Sequence, residues 1–452
     1  MQKPLFLRHF QRYSVRMRRT LNPQVPGSSP GRRTMQFHDD GMTKSPRRIA
    51  VWHVAALAMF ALAWGGNQFT PLLTMYRQSD GYSLTTVDLL LAAYIGGLAP
   101  ALLGGHRLRS RLGVKHTLVL ALISSMFGSL ALAGESVFFL GLGRILTGFG
   151  LGLAMAVGTS WVVELASRSG VSRASGAKRA ALSLTAGLGL GAGVAGALAS
   201  WGPNPTVLPY LVHLCLAGIA LFFLALFTTN DDVWRGTPGP SRPRDLHTLR
   251  SPRFRRLILP AGPWVFGVAA ISYVVIPTSM TKELGGWILP YTTGLALITL
   301  TVGFFSQEIA KRLDTKDRPR ALPLGMAVTT IGLALASITV ELRSPLLGVV
   351  SAVVLGTSYG IVLLGGLLET QRSSLEGDLS TMTGLYYALA YLGFLFPASL
   401  TSLARWTGTP LALSALTAFA LVTCGAISLS SRRLHRDQVV EDSHRGPLVP
   451  KS

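Results

Sequence analysis

Arg144 is the one charged residue in GRILTGFGLGLAMAVG, Gly143 to Gly158, a stretch otherwise made of hydrocarbon and glycine with one threonine. A guanidinium keeps its proton, so a chain that places one there must surround it with acceptors or with a wet cavity. Asn67 and Gln68 interrupt a second apolar run. Polar groups so placed either line a cavity or hydrogen-bond a neighbouring helix. Asp88 is the acid nearest an apolar interior in the first half of the chain, but Thr85-Thr86-Val87-Asp88 also fits a capping box at a helix start. Glu164, Glu308 and Glu369 end apolar runs next to basic segments, where a carboxylate is by default solvated or paired with those bases. Tyr359, Tyr386, Tyr387 and Tyr391 either stack an aromatic molecule or pack within the fold. His213 reads as a satisfied core histidine. These groups suit recognition and proton transfer rather than bond making: the His, Asp and Glu residues show no metal spacing and no nucleophile–base pattern, and no phosphate-binding loop is present. Cys215 and Cys424 form neither a disulfide framework nor a metal site. No enzyme and no cofactor is implied.

The elements that must hold these residues are set by composition. Of 452 residues 49% are hydrophobic and 14% charged, too few charges for a water-facing surface. Twelve apolar segments of roughly 18 to 27 residues each match the length of a helix crossing a bilayer. They run over 51–75, 84–105, 117–134, 137–163, 179–200, 206–228, 258–279, 288–309, 321–340, 345–369, 380–403 and 409–430. The expected fold is all-α: a basic segment 1–49, a six-helix half 50–228, a central loop 229–257 rich in Pro, Gly and Arg, a second half 258–431, and a tail 432–452. Two equal halves suggest repeated domains.

Lys and Arg number 42 against 20 acids. Sorted by loop with the N-terminus inside, 37 lie on the inner side and 4 (Arg77, Lys282, Arg343 and Arg405) on the outer, which is the distribution the positive-inside rule produces. The excess therefore sets orientation and meets anionic headgroups, and it excludes a nucleic-acid binder. Both termini fall in the cytoplasm. The predominance of arginine over lysine, with abundant Ala, Gly and Leu, favours a bacterial inner (cell) membrane. Residues 1–34 carry eight basic groups and no acid. Pro-Gly-Ser-Ser-Pro is also what the T-arm of a transfer-RNA gene encodes when translated, which points to a start at Met35 or Met42; the alternatives are a polybasic membrane-surface arm or a transit peptide.

Three motifs carry a family resemblance. GGHRLRSRLGVKHTL, after the second span, resembles the major facilitator superfamily loop G-x-L-x-D-R-x-G-R-[RK]: Leu108, Arg111, Gly113 and Lys115 match, whereas His106, Ser110 and Val114 depart. Arg144 with Gly148, Gly150 and Gly152 resembles the fourth-span pattern R-x-x-x-G-x-G-x-G. AGLGLGAGVAGALA resembles the exporter motif G-x-x-x-G-P-x-x-G-G at Gly187 and Gly191, with Ala192 in place of proline and a looser ending at Gly193 and Gly196. WGGNQFTPLL, TSWVVELA and PYLVHL look like the bacterial drug-exporter branch, and the likeness covers 50–432.

The resemblance implies two six-helix bundles alternating access to a midplane site, with Arg144 handling substrate or protons and the loop motif holding the halves together; the missing aspartate at Ser110 weakens that latch. A structural role for Arg144, satisfied by backbone carbonyls, stays open. Proton-driven export of a small molecule by a monomer is the leading reading, coupled through Asp88 or Glu164. Import or facilitated passage of a nutrient or small anion, and a non-transporting sensor, are the alternatives. The charge distribution makes a direct prediction: a reporter active only in the cytoplasm works when fused between Thr229 and Pro252 and fails between Arg77 and Tyr82, and the reverse pattern overturns the orientation.

Overall fold

The computed structural model describes residues 51–445 apart from 80, 135, 229–246, 315–318 and 375–378. The segment 1–49, with both suggested start sites, and most of the 229–257 loop lie outside the described residues. Ten helices are long and apolar enough to cross a membrane. They are α3 (Leu84–Leu132), α4 (Val137–Arg168), α5 (Ser175–Trp201), α6 (Leu208–Phe227), α7 (Phe254–Ser279), α8 (Thr281–Leu313), α9 (Ala321–Leu342), α10 (Pro345–Ser373), α11 (Thr381–Thr407) and α12 (Thr409–Leu434). Before them stand α1 (Val51–Asn67) and the short α2 (Leu73–Ser79). The protein is an all-α, multi-pass membrane protein.

At about 1.5 Å per residue, the 49 residues of α3 would extend about 73 Å, more than twice a ~30 Å hydrocarbon core. The helix turns at Gly113, whose φ of 80° and ψ of 165° suit glycine. Its two limbs are the two passes expected at 84–105 and 117–134, and the loop expected between them is helical on both sides of that residue.

The first pass also departs from expectation. The apolar pattern over 51–75 predicts one helix, but α1 stops at Asn67 and α2 begins at Leu73. Pro71 has no N–H to offer the Asn67 carbonyl. The Thr70 N–H takes that carbonyl instead at 3.2 Å, and the Thr70 hydroxyl donates to Asn67 Oδ1 at 2.8 Å. The capping-box reading of Asp88 is likewise corrected. Ser83 is the N-cap, its hydroxyl accepting the Thr86 N–H at 3.1 Å, so Asp88 sits inside the helix and is 2% exposed. The last backbone helix, expected to end near 430, continues to Arg445.

Large apolar side chains point outward: Phe127, Phe138, Leu346 and Val422 are each at least 60% exposed. Such a surface suits hydrocarbon and not water. Inside, glycine sets the spacing, since lipid gives no hydrophobic drive and helices associate by close packing. Gly148 and Gly152 of α4 lie on the α3 backbone at Tyr94 and Leu98, and Gly150 lies on its other limb at Ala121. Gly187 and Gly191 of α5 face the carbonyls of Phe60 and Trp64 in α1, while Gly193 and Gly196 face Leu297 and Thr293 of α8. The close α3–α4 crossing recurs between α8 and α10, where Gly360 lies on the Gly303 carbonyl.

A side chain at Gly148 must displace backbone, whereas a Cβ at Gly189 meets nothing within 4 Å. Gly148→Leu is therefore expected to lose most monodisperse protein on gel filtration, overpacking costing about 1–3 kcal/mol or more. Gly189→Leu should keep the wild-type yield; equal yields would show that this crossing is not tight.

Candidate functional site

Arg144 is 1% exposed, and two helices give it three backbone oxygens. Its Nε donates to the Leu90 carbonyl at 3.3 Å, Nη1 to Gly66 at 3.3 Å and Nη2 to Leu91 at 3.4 Å. Among the described residues no carboxylate lies within ion-pair distance of it. The guanidinium rests instead over the rings of Tyr94 (4.2 Å) and Phe69 (4.9 Å). Gly66 is in the last turn of α1, where carbonyls have no helical donor and the helix dipole is negative. The break at Pro71 thus leaves a polarised helix end facing the buried charge.

From Tyr94 an aromatic bridge passes between the N- and C-terminal segments. Tyr94 meets Tyr391 at 5.8 Å between ring centroids, Tyr391 stacks on Phe266 at 4.1 Å, and Phe266 meets Tyr359 at 5.6 Å and Phe394 at 5.3 Å. Below the bridge a cavity of about 140 Å³ is lined by Leu102, His106, Met155, Thr381, Gly384 and Tyr387, among others. Met155 belongs to both, its sulfur 3.9 Å from the Tyr391 hydroxyl. The expected residues Tyr359 and Tyr387 are thus near the centre. Sequence reasoning missed Tyr94, Phe266 and Phe394, which have no spacing that separates them from packing aromatics.

Asn67 and Gln68 make interhelical hydrogen bonds. Asn67 Nδ2 donates to the Leu188 carbonyl in α5 at 2.9 Å. Gln68 Nε2 donates to Ser129 Oγ at 2.9 Å, and Ser129 lies 2.6 Å from His213 Nδ1. His213 Nε2 is 3.1 Å from the Ala61 carbonyl, which can only accept, so that nitrogen carries the proton and Nδ1 accepts from Ser129. Around Gly65 and Gly66, four buried polar atoms have no hydrogen-bond partner among the described residues: Trp64 Nε1, Gln68 Oε1, Tyr94 Oη and Ser125 Oγ.

At the end away from His106, the N- and C-terminal segments are joined by polar contacts. Thr401 Oγ1 in α11 donates to Asp88 Oδ2 at 2.6 Å, Arg405 donates to Thr85, and the hydroxyls of Thr74 and Thr292 are 3.3 Å apart. Arg77 is the cation within electrostatic range of Asp88. Glu164 pairs with Arg168 at 3.2 Å and lies about 30 Å along α4 from Arg144 at 1.5 Å per residue, so the two do not form one site.

In the loop motif Leu108 packs on the core, Arg111 is exposed, and Lys115 Nζ donates to the Thr228 carbonyl at 2.5 Å. Ser110 donates to the Arg107 carbonyl of its own turn, at 2.8 Å. A charge cluster stands instead after α8. Arg372 joins Asp314 and Glu369, each at 2.7 Å, and Arg253 joins Glu369 at 2.6 Å. The sequence placed Glu369 at a helix end, but the cluster in which Arg253 and Arg372 pair with Glu369 and Asp314 needs three distant segments to meet.

A membrane-embedded helical bundle with these close crossings has the architecture of a secondary transporter. The family model of the Major Facilitator Superfamily matches residues 55–398, and the chain belongs to that superfamily. Among solved structures, the nucleoside transporter NupG is similar at 12% identity, covering 84% of this chain and 98% of that one with a TM-score of 0.67. A POT family transporter in complex with 5-aminolevulinic acid is similar at 13%, 87% and 98%, with a TM-score of 0.70. A bacterial homologue of the human lysosomal transporter Spinster, in an inward-facing unoccupied conformation, is similar at 15%, 86% and 98%, with a TM-score of 0.64. A search of curated proteins finds no match.

Glu369 pairs with two arginines at 3% side-chain exposure. Glu369→Gln should destabilise the protein by about 3 kcal/mol, because removing one partner strands the others. Glu308→Gln, whose pairs with Lys311 and Arg312 are exposed, should change stability by less than about 1 kcal/mol. Thermal unfolding in detergent checks both, and similar shifts would count against the buried cluster.

Proposed function

We propose that this transporter exports a small neutral or anionic molecule with a flat apolar part, in exchange for protons, as the drug-exporter-like motifs suggest. Two six-pass halves, 50–228 and 258–431, rock about a central site in a bacterial inner membrane with both termini cytoplasmic. The observation that carries the reading is Arg144, a buried guanidinium that among the described residues has no carboxylate partner, beside polar atoms without hydrogen-bond partners there and an aromatic bridge between the halves. Such a site attracts acceptors and π-faces and repels strong cations. Tyr359 and Tyr387 stack the substrate, the cavity at His106 is its cytoplasmic approach, and the glycines of α4 and α5 are the packing surfaces on which the halves are built.

Protons are exchanged at Asp88. Its carboxylate lies in a contact between α3 and α11 that must break when that end opens, and its bond from Thr401 is stronger when the acid is ionised. Uptake of a small anion is the second reading, favoured by the unneutralised charge of Arg144. Accumulation in inverted vesicles separates the two directions.

Arg144→Ala is expected to abolish flux in proteoliposomes while leaving monodisperse protein, and Arg144→Lys to restore only part, because lysine lacks the planar fork that reaches three carbonyls. Full flux in Arg144→Ala would remove the residue from the mechanism. Loss of folded protein would assign it a structural role, leaving buried carbonyls unsatisfied at about 1–3 kcal/mol each. Asp88→Asn should retain substrate counterflow and lose accumulation driven by a proton gradient; accumulation at the wild-type level would exclude Asp88 as the coupling group.

A further inference from the structure

The cavity of about 140 Å³ at His106 has room for about one six-membered ring, since a cavity of roughly 150 Å³ takes up benzene. Leu102, on its wall, follows Tyr94 in α3 by about 12 Å at 1.5 Å per residue, so the cavity stops short of the Arg144 guanidinium over the Tyr94 ring. One side chain fills the interval. Tyr391 meets the Tyr94 ring at 5.8 Å on one side, and on the other it directs its hydroxyl to the sulfur of Met155, a cavity wall residue, at 3.9 Å. Phe394 also approaches Tyr94, at 6.4 Å, but it is not on the cavity wall. Gly384 and Tyr387, one and two turns before Tyr391 on the same face of α11, are both on that wall.

We propose that Tyr391 is the specificity-determining residue of this site: its ring is a partition that a molecule in the cavity must turn aside to reach Arg144. The inference rests on the reading of Arg144 as the substrate site. Tyr391 is marked as the movable member of the bridge first by how weakly its hydroxyl is held. A buried tyrosine ordinarily finds a full hydrogen-bond partner. Tyr386 in the same helix has one, donating to the Val362 carbonyl at 2.8 Å. Tyr391, 3% exposed, has a thioether in that place, which is a weak acceptor. Both ends of that contact also stand on irregular turns. The α-helical part of α11 stops at Tyr391 and a 3-10 turn follows over Leu392–Leu395, while Met155 lies in a π turn of α4, Ala154–Gly158. Such turns within a helix concentrate at hinges and functional sites. Behind the ring, the buried Tyr94 hydroxyl has no hydrogen-bond partner among the described residues, so a polar donor stands ready beside the guanidinium. The selection follows from the stack that Tyr391 makes on Phe266, at 4.1 Å between centroids. A flat ring can take over that stack when Tyr391 leaves it, whereas a bulky saturated molecule cannot.

The test applies phenylglyoxal, a single-ring reagent for guanidinium groups, to the full chain in detergent and reads the rate at Arg144 by peptide mass spectrometry against exposed Arg111. Modification of a buried group follows how often it is uncovered, so Tyr391→Ala should speed the reaction at Arg144 at least about tenfold. Tyr391→Phe and Met155→Leu keep the packing volume and each remove one side of the weak contact; each should speed it about threefold, and they carry the test if Tyr391→Ala does not fold. Phe394→Ala thins the bridge away from the cavity and should change the rate by less than about twofold. Unchanged rates in the Tyr391 and Met155 variants, an equal gain in Phe394→Ala, or a wild-type Arg144 that reacts as fast as Arg111 would each overturn the partition. No substrate and no proton gradient enters the measurement, so such a result leaves the flux of Arg144→Ala to judge the transport reading separately.

Discussion

The positive charge of Arg144 is held by backbone carbonyls, and the N-terminal helices must approach closely to supply them. A buried guanidinium without a counter-ion is stable only if several oxygens approach it together. Two come from one turn of α3, at Leu90 and Leu91, and the third from Gly66 at the end of α1. An unbroken first pass would have committed its carbonyls to its own helix. The break forced by Pro71 supplies a helix end of the right polarity inside the bundle. Gly66, where a side chain would strike the Tyr94 hydroxyl, allows the approach.

That arrangement requires α1, α3 and α4 to lie unusually close, and the glycines of α4 provide the contact. The same logic extends through α5, whose glycines face α1 on one side and α8 on the other. The polar latch at one end, Asp88 with Thr401 and Thr85 with Arg405, and the cavity at the other end leave the aromatic bridge as the divide between them. Such an arrangement suits alternating access, because the contacts on the two sides of the bridge can be exchanged without unfolding a helix. The chain is also asymmetric in its charge contacts. Ser110 stands where the superfamily loop pattern has an acid, while Asp314, Arg372, Glu369 and Arg253 make a network in the C-terminal part of the chain.

Hydropathy alone made the membrane passes legible, because an apolar run of bilayer length has few other stable fates, and the motif glycines and Arg144 were readable because each is chemically out of place in its segment. The expectations that failed were local ones. The capping box at Asp88 matched a pattern that Ser83, two residues earlier, satisfies instead, and the uniform first pass ignored what a proline removes four residues upstream.

By itself, then, the sequence determined an all-helical membrane transporter of this superfamily: burying backbone polar groups in lipid leaves a helix little alternative, and glycine spacing marks close crossings. Only the tertiary structure decided the partners. That Arg144 meets carbonyls rather than an acid, that Asp88 meets Thr401 across 313 residues, and that Tyr94 joins Tyr391 depends on distant segments arriving together. No periodicity within one segment records the orientation of another, so those choices become visible only in the packed molecule.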